Sequence, residues 1–265
     1  MSIVHEAGAQ AALESLGLTV AAARLDAIAQ SAAAEQWSYS HFADVLLQAE
    51  LQERKRKRVA LNLQFANFPY LKRLGDFDCS AQPSLDRRLI DELATGRYLN
   101  EGRNVMLLGP PGVGKTHLAI ALGVLVAEAG NRVYFTSAMD LARKLTRAVD
   151  RNRLQGELNA LQQPRLLIID EVGYLPFDAV QASLLFQVIC RRYQKNQPMV
   201  LTSNKAFGEW GEVFGGDPVM ASAALDRLLH RSTIINIRGE SYRLREKRQA
   251  GMDTSVSMKD RLTPS

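Results

Sequence analysis

An α/β architecture, with a five-stranded parallel sheet between helices and a small all-helical region ahead of it, is what this 265-residue sequence predicts. Three observations point there. Five short apolar runs alternate with helical stretches, which implies strands joined by crossovers in a sheet covered on both faces. The segment Gly109-Pro-Pro-Gly-Val-Gly-Lys115-Thr116 stands between one such run and a helix, where a phosphate-binding loop belongs. Residues 1–66 are alanine-rich, contain no proline, and place Leu13/Leu16, Phe42/Leu46/Ala49 and Val59/Leu63/Ala66 at helical spacing.

Taken in order, the helical region ends at Pro69, and Gly75-Asp-Phe-Asp-Cys-Ser-Ala-Gln-Pro83 reads as a turn-rich boundary. This predicts a helical domain over 1–76, an α/β domain over 77–250, and a mobile tail over 251–265, which lacks periodic apolar residues. Within the α/β domain the pattern predicts a helix over Leu85–Thr95, a strand over Val105–Leu108 and a helix over Lys115–Ala129 closed by Gly130. A strand over Val133–Thr136 and a helix pair over Ala138–Val149 and Leu154–Leu161 follow. Then come a strand over Leu166–Ile169, a helix over Ala179–Tyr193, a strand over Met199–Leu201, a helix over Val219–His230 and a strand over Ile234–Ile237.

Composition narrows the class. A hydrophobic content of 46% supports a folded core. Cys79 and Cys190 are far apart and in no metal-ligand spacing, and the histidines at 5, 41, 117 and 230 include no zinc pair. The longest apolar helical run, Leu118–Ala127, is half the ~20 residues a membrane span needs, and no secretory signal is visible. The expectation is a cytoplasmic protein with no membrane partner and no disulfide framework.

The loop carries the chemistry. Glycines at 109, 112 and 114 let successive backbone N–H groups turn inward as an anion nest, at the N-terminus of a helix that itself attracts phosphate. Gly109, Pro110, Pro111, Gly112, Val113, Gly114, Lys115, Thr116 and His117 are the expected contacts of a nucleoside triphosphate. Lys115 reaches the β/γ oxygens and Thr116 ligates Mg²⁺. Leu166-Leu-Ile-Ile-Asp170-Glu171 delivers two carboxylates to the edge of the sheet where ligands sit. Asp170 would hold Mg²⁺ through its water shell and Glu171 would polarise the attacking water; alternatively the pair merely terminates a strand. Asn204, after Met199-Val-Leu-Thr-Ser203, orients that water or simply forms a turn.

Charge is unevenly spread. Residues 1–50 hold Arg24 against six acids, whereas residues 51–75 hold Arg54, Lys55, Arg56, Lys57, Arg58, Lys72 and Arg73 against Glu53 alone. These seven are the candidate DNA contacts, binding backbone phosphates of a duplex with little base preference. Five consecutive cations wrap the whole circumference of a helix, so they cannot all face one partner, and a solvated face is the alternative. Arg227 either completes a neighbour's nucleotide site as an arginine finger or joins Asp226 and Arg231 in a surface cluster. Arg243 is a candidate for touching phosphate. Trp37 and Trp210 read as packing residues.

Assembled, these motifs resemble the IstB-type transposition helper ATPases, relatives of the DnaC helicase loaders and the DnaA-like AAA+ initiators. The resemblance rests on the basic helical region, Leu74-Gly-Asp-Phe-Asp, the phosphate loop with His-Leu-Ala, Leu166-Leu-Ile-Ile-Asp-Glu, Leu201-Thr-Ser-Asn, Leu225-Asp-Arg-Leu and Gly239-Glu-Ser-Tyr-Arg. It implies an AAA+ P-loop fold without a full C-terminal lid, and an ATP- and Mg²⁺-dependent homo-oligomer on double-stranded DNA. It further implies an IstA-type transposase as partner. Lys115, Thr116, Asp170, Glu171 and Asn204 would then act within one subunit and Arg227 on the next. A helicase loader, a small-molecule kinase and a nucleotide-gated scaffold remain the alternatives.

Overall fold

The computed structural model describes residues 2–78, 82–239 and 241–242, with side chains from Gly8 onward. Cys79, Arg243, the tail 251–265 and the region of the expected missing lid lie outside the described residues. The chain divides into two compact units, one ending at Leu61 and the other beginning at Asn62.

The first unit holds α1 (Ser2–Ser15), α2 (Thr19–Ala34) and most of α3 (Tyr39–Phe65). Gly17, at φ 69°, closes α1: its N–H donates to Glu14 O and the Leu18 N–H to Leu13 O, the paired bonds of a helix-ending turn. Ala21, Leu25 and Leu46 form a small core with Leu13, Leu18, Ile28 and Phe42. Leu18, the residue before α2, has no side-chain oxygen to cap it. Glu50 on α3 supplies one instead, accepting from Val20 N at 2.9 Å and Ala21 N at 3.2 Å.

In the second unit the sequence pattern is followed closely. Helix α4 (Arg87–Ala94) and the short α5 (Arg97–Asn100) precede β1 (Asn104–Leu108), α6 (Lys115–Glu128), β2 (Val133–Ser137), α7 (Ala138–Asp150) and α8 (Leu154–Ala160). Then follow β3 (Leu166–Val172), α9 (Ala179–Gln194), β4 (Met199–Ser203), the short α10 (Trp210–Val213), α11 (Pro218–Leu229) and β5 (Ser232–Asn236). All five strands are parallel, in the order β2-β3-β4-β1-β5.

Both faces of this sheet are covered, which is why the central strands read as unbroken apolar runs. Val105 and Leu107 of β1 pack with Ile90, Leu93, Leu118 and Leu122, whereas Met106 between them joins Leu141, Leu185 and Leu228 on the other side. Trp210 is fully buried there, as packing demands. The segment after Phe65 belongs to this second unit. Its Ala66 carbonyl accepts from Phe135 N at 2.8 Å, Phe68 packs on Phe135, and Phe77 is buried.

A guanidinium is sealed inside. Arg192, fully buried near the end of α9, donates to the carbonyls of Leu161 and Pro198 at 2.8 Å, and more distantly to Pro164 and Arg165. Burial pushes its pKa down to about 9. The guanidinium pins the loops entering β3 and β4.

Candidate active site

The loop between β1 and α6 is held from two sides. Gly112 and Gly114 have φ of 84° and 97°, a region other residues avoid. A Cβ on Gly112 would fall 2.1 Å from Ser241 Oγ, and one on Gly114 would fall 2.6 Å from Phe77 Cε2. The glycines therefore let both flanking segments close on the loop as well as shaping it for phosphate. Tyr242 ties the two together, donating from its N–H to Gly112 O at 3.0 Å and from its hydroxyl to Asp78 O at 2.5 Å. An open cleft of about 280 Å³ lies beside it, lined by Tyr70, Lys72, Phe77, Lys115, Thr116 and Tyr242 among others.

Lys115 lies across its own loop, donating to Gly109 O at 2.7 Å and Pro110 O at 2.8 Å. Val113 is buried, so only its backbone can face a ligand. Beneath the loop, the Thr116 hydroxyl donates to Asp170 Oδ1 at 3.0 Å and Oδ2 at 3.1 Å. Thr202 on β4 donates to the same Asp170 Oδ1 at 2.5 Å and accepts from Glu171 N at 2.9 Å. One buried hydroxyl thus orients one acid and fixes the backbone of the next. Sequence reading assigned Thr202 no role. A threonine closing the apolar run Met199-Val-Leu, on the strand next to the two acids, was the available signal.

The two acids sit together in a bulge. Ile169 pairs with Leu201 and Val172 with Ser203, so β3 carries one residue more than β4 between those pairs. Strand β3 consequently runs past the acids to Val172, and Glu171 takes a φ of 61°, unusual for a residue with a Cβ. Asp170 is buried, while Glu171 projects, exposed, at the carboxyl edge. A strained residue at such an edge marks a functional candidate.

The arrangement fits Mg²⁺. Among the described residues no three His, Cys, Asp or Glu gather into a metal cage. Mg²⁺ does not need one, since one or two protein oxygens complete its shell with water and phosphate. Thr116 and Asp170 place such oxygens together at the loop.

The remaining expected residues are dispersed. Asn204 is exposed at the end of β4, one residue from Ser203, whose hydroxyl donates to Val172 O at 2.6 Å. His117 lines the cleft, but its Nε2 lies 3.2 Å from Arg73 O and its ring meets Phe77 edge-on. Burial holds the imidazole pKa below its usual value. Lys72 lines the cleft beside the loop, whereas the Arg73 guanidinium forms an ion pair with Glu128 at 2.6 Å, at the other end of α6. In the basic run, Arg54 bonds Glu50 and Gly17 O, while Arg56 and Lys57 share Glu53. Lys55 and Arg58 are exposed without a carboxylate partner among the described residues. Arg227 forms no cluster with Asp226; it donates to Ala223 O at 2.6 Å and lies over the Phe186 ring at 5.3 Å. It shares a cleft with Asn104 and Asn196, at the amino edge of the sheet, away from its own phosphate loop.

Residues 11–250 match the family described as IstB-like ATP binding protein. The chain belongs to this family. It is 48% identical over 233 residues to the ATP-binding protein of insertion sequence IS5376 from Geobacillus stearothermophilus, covering 88% of this chain and 92% of that one. It is 47% identical over 230 residues to its counterpart in insertion sequence IS21 from Pseudomonas aeruginosa, covering 87% and 86%. Among solved structures, AMPPCP-bound DnaA from Aquifex aeolicus aligns with a TM-score of 0.53 at 20% identity, covering 71% of this chain and 58% of that one. The DnaC helicase loader aligns at 0.50 and 22%, covering 65% and 97%. These two share their α/β fold with the IstB-like chain. No helix among its described residues is long and apolar enough to cross a membrane.

Proposed function

We propose that this IstB-like protein is an ATP-hydrolysing regulator of transposition that assembles in copies on duplex DNA, prepares target DNA and stimulates an IstA-type transposase. The observation that carries the ATPase part is the Thr116–Asp170–Thr202 hydrogen-bond chain directly beneath a complete phosphate loop. The transposition part is supported by relatives named for insertion sequences and more than 40% identical.

In this reading, the loop amides receive the β-phosphate and Lys115 exchanges the Gly109 and Pro110 carbonyls for β/γ oxygens. Thr116 and Asp170 would hold Mg²⁺, which offsets the charge of the β- and γ-phosphates when bound. Glu171 accepts a proton from the attacking water, Asn204 orients that water, the new bond forms to the γ-phosphorus, and the bond to ADP breaks. Arg227, at the far edge of its own sheet, serves an adjoining copy. Glu171 directly beside Asp170 favours water as the nucleophile, so free phosphate should appear without any added acceptor. Release of phosphate should rise with duplex DNA and fall steeply with salt. A DNA-indifferent, salt-insensitive rate would defeat the reading.

A further inference from the structure

We propose that the outward face of α7, continued into the turn before α8, is a DNA-backbone surface carried by the ATPase unit itself. It rests on the duplex-binding reading above and assigns the contact to residues that reading does not use. Helix α7 buries Ala138, Leu141, Ala142, Leu145 and Ala148. The three-to-four spacing of those residues turns Arg143, Lys144 and Arg147 outward, and Arg151 and Arg153 follow on the turn. All five line one shallow cleft of about 410 Å³.

The acids nearby do not neutralise it. Glu157 takes Lys144 at 3.0 Å, and Asp140 reaches Arg143 only at 3.9 Å. Arg147, Arg151 and Arg153 are exposed and have no carboxylate partner among the described residues. Cations near a helix C-terminus are favoured by its dipole, which accounts for Arg147 and Arg151. It accounts for neither Arg143, in the second turn, nor Arg153, beyond the helix.

Arg143, Arg147 and Arg151 recur every four residues, about 6 Å apart along the axis at a rise of ~1.5 Å per residue. Such a row can meet successive phosphates of one strand. No aromatic side chain is among the described residues lining this cleft, and Tyr134, which Lys144 Nζ approaches to 5.2 Å from its ring centre, is half-buried and so offers no free platform for an unpaired base. Backbone contact without stacking suits a duplex and carries little sequence preference.

The test compares the full-length chain with R147A/R151A/R153A and R147K/R151K/R153K, by fluorescence anisotropy on a mixed-sequence duplex across a salt series. Thermal melting establishes that each variant is folded. The alanine variant should bind at least tenfold more weakly near 0.1 M salt, with a log K against log salt slope shallower by about 2 to 3, since each lost phosphate contact removes ~0.9. The lysine variant should keep most of both. Unchanged affinity and slope in a folded alanine variant, with the parent binding duplex, would overturn this surface and leave the function intact. A parent that does not bind duplex would overturn both. Normal duplex binding with lost transposase stimulation would overturn the assignment to DNA in favour of a protein partner.

Discussion

Replacing Thr202 with valine keeps the shape of a fully buried side chain and deletes one hydroxyl. That hydroxyl donates to the Asp170 carboxylate at 2.5 Å and accepts from Glu171 N at 2.9 Å. A hydrogen bond to a charged group contributes about 1.5–3 kcal/mol, and leaving the half-buried amide unpaired costs about 1 kcal/mol, so Thr202→Val should destabilise by about 2.5–4 kcal/mol. For a domain of this size that corresponds to a fall in melting temperature of about 5–15 °C. Hydrolysis should drop ten- to hundredfold at saturating ATP, an order-of-magnitude expectation for mispositioned catalytic groups. Denaturant unfolding and phosphate release measure the two effects, with Thr202→Ser as the variant that retains the hydroxyl. A valine variant within about 0.5 kcal/mol of the parent, or a serine variant as impaired as valine, would refute the reasoning.

Lys115→Ala should abolish measurable nucleotide binding, whereas Glu171→Gln should bind ATP and fail in single-turnover hydrolysis; an unchanged rate in the glutamine variant would remove Glu171 from the chemistry. Arg227→Ala should lower hydrolysis about 10³-fold in the assembled form, as loss of an arginine finger does. Mixing it with Lys115→Ala subunits should restore activity at mixed junctions, and failure of properly co-assembled subunits to do so would argue against a shared site. The half-buried His117 has a pKa lowered from 6.5, so the unfolded chain takes up its proton first. Stability should therefore be full above pH 6.5 and decline as pH falls through that value toward the folded-state pKa. In His117→Gln this part of the decline should be absent from melting curves.

Much of the fold was legible because parallel strands buried on both faces write themselves as apolar runs, and helices such as α7 show one clean buried face. Strand ends were harder. Asp170 and Glu171 look like a terminus, yet the bulge opposite β4 absorbs an extra residue and lets β3 continue to Val172. The loop was readable from spacing alone, since its glycines answer a backbone requirement. Side-chain partnerships were not. Lys72 and Arg73 counted only as charge in the sequence, but Lys72 lines the cleft beside the loop, while Arg73 pairs with Glu128 at the other end of α6. Arg54 likewise serves as a pin on Glu50, itself a cap for α2, because long-range hydrogen bonds leave no periodic trace.

The most direct test is electron microscopy of the full chain with a non-hydrolysable ATP analogue, Mg²⁺ and duplex DNA. Triphosphate density should fill the Gly109–Thr116 loop, with Lys115 moved off the Gly109 and Pro110 carbonyls and Arg227 of an adjoining copy facing the γ-phosphate. An empty loop still bridged by Lys115, on a chain with no neighbour at that edge, would contradict the account.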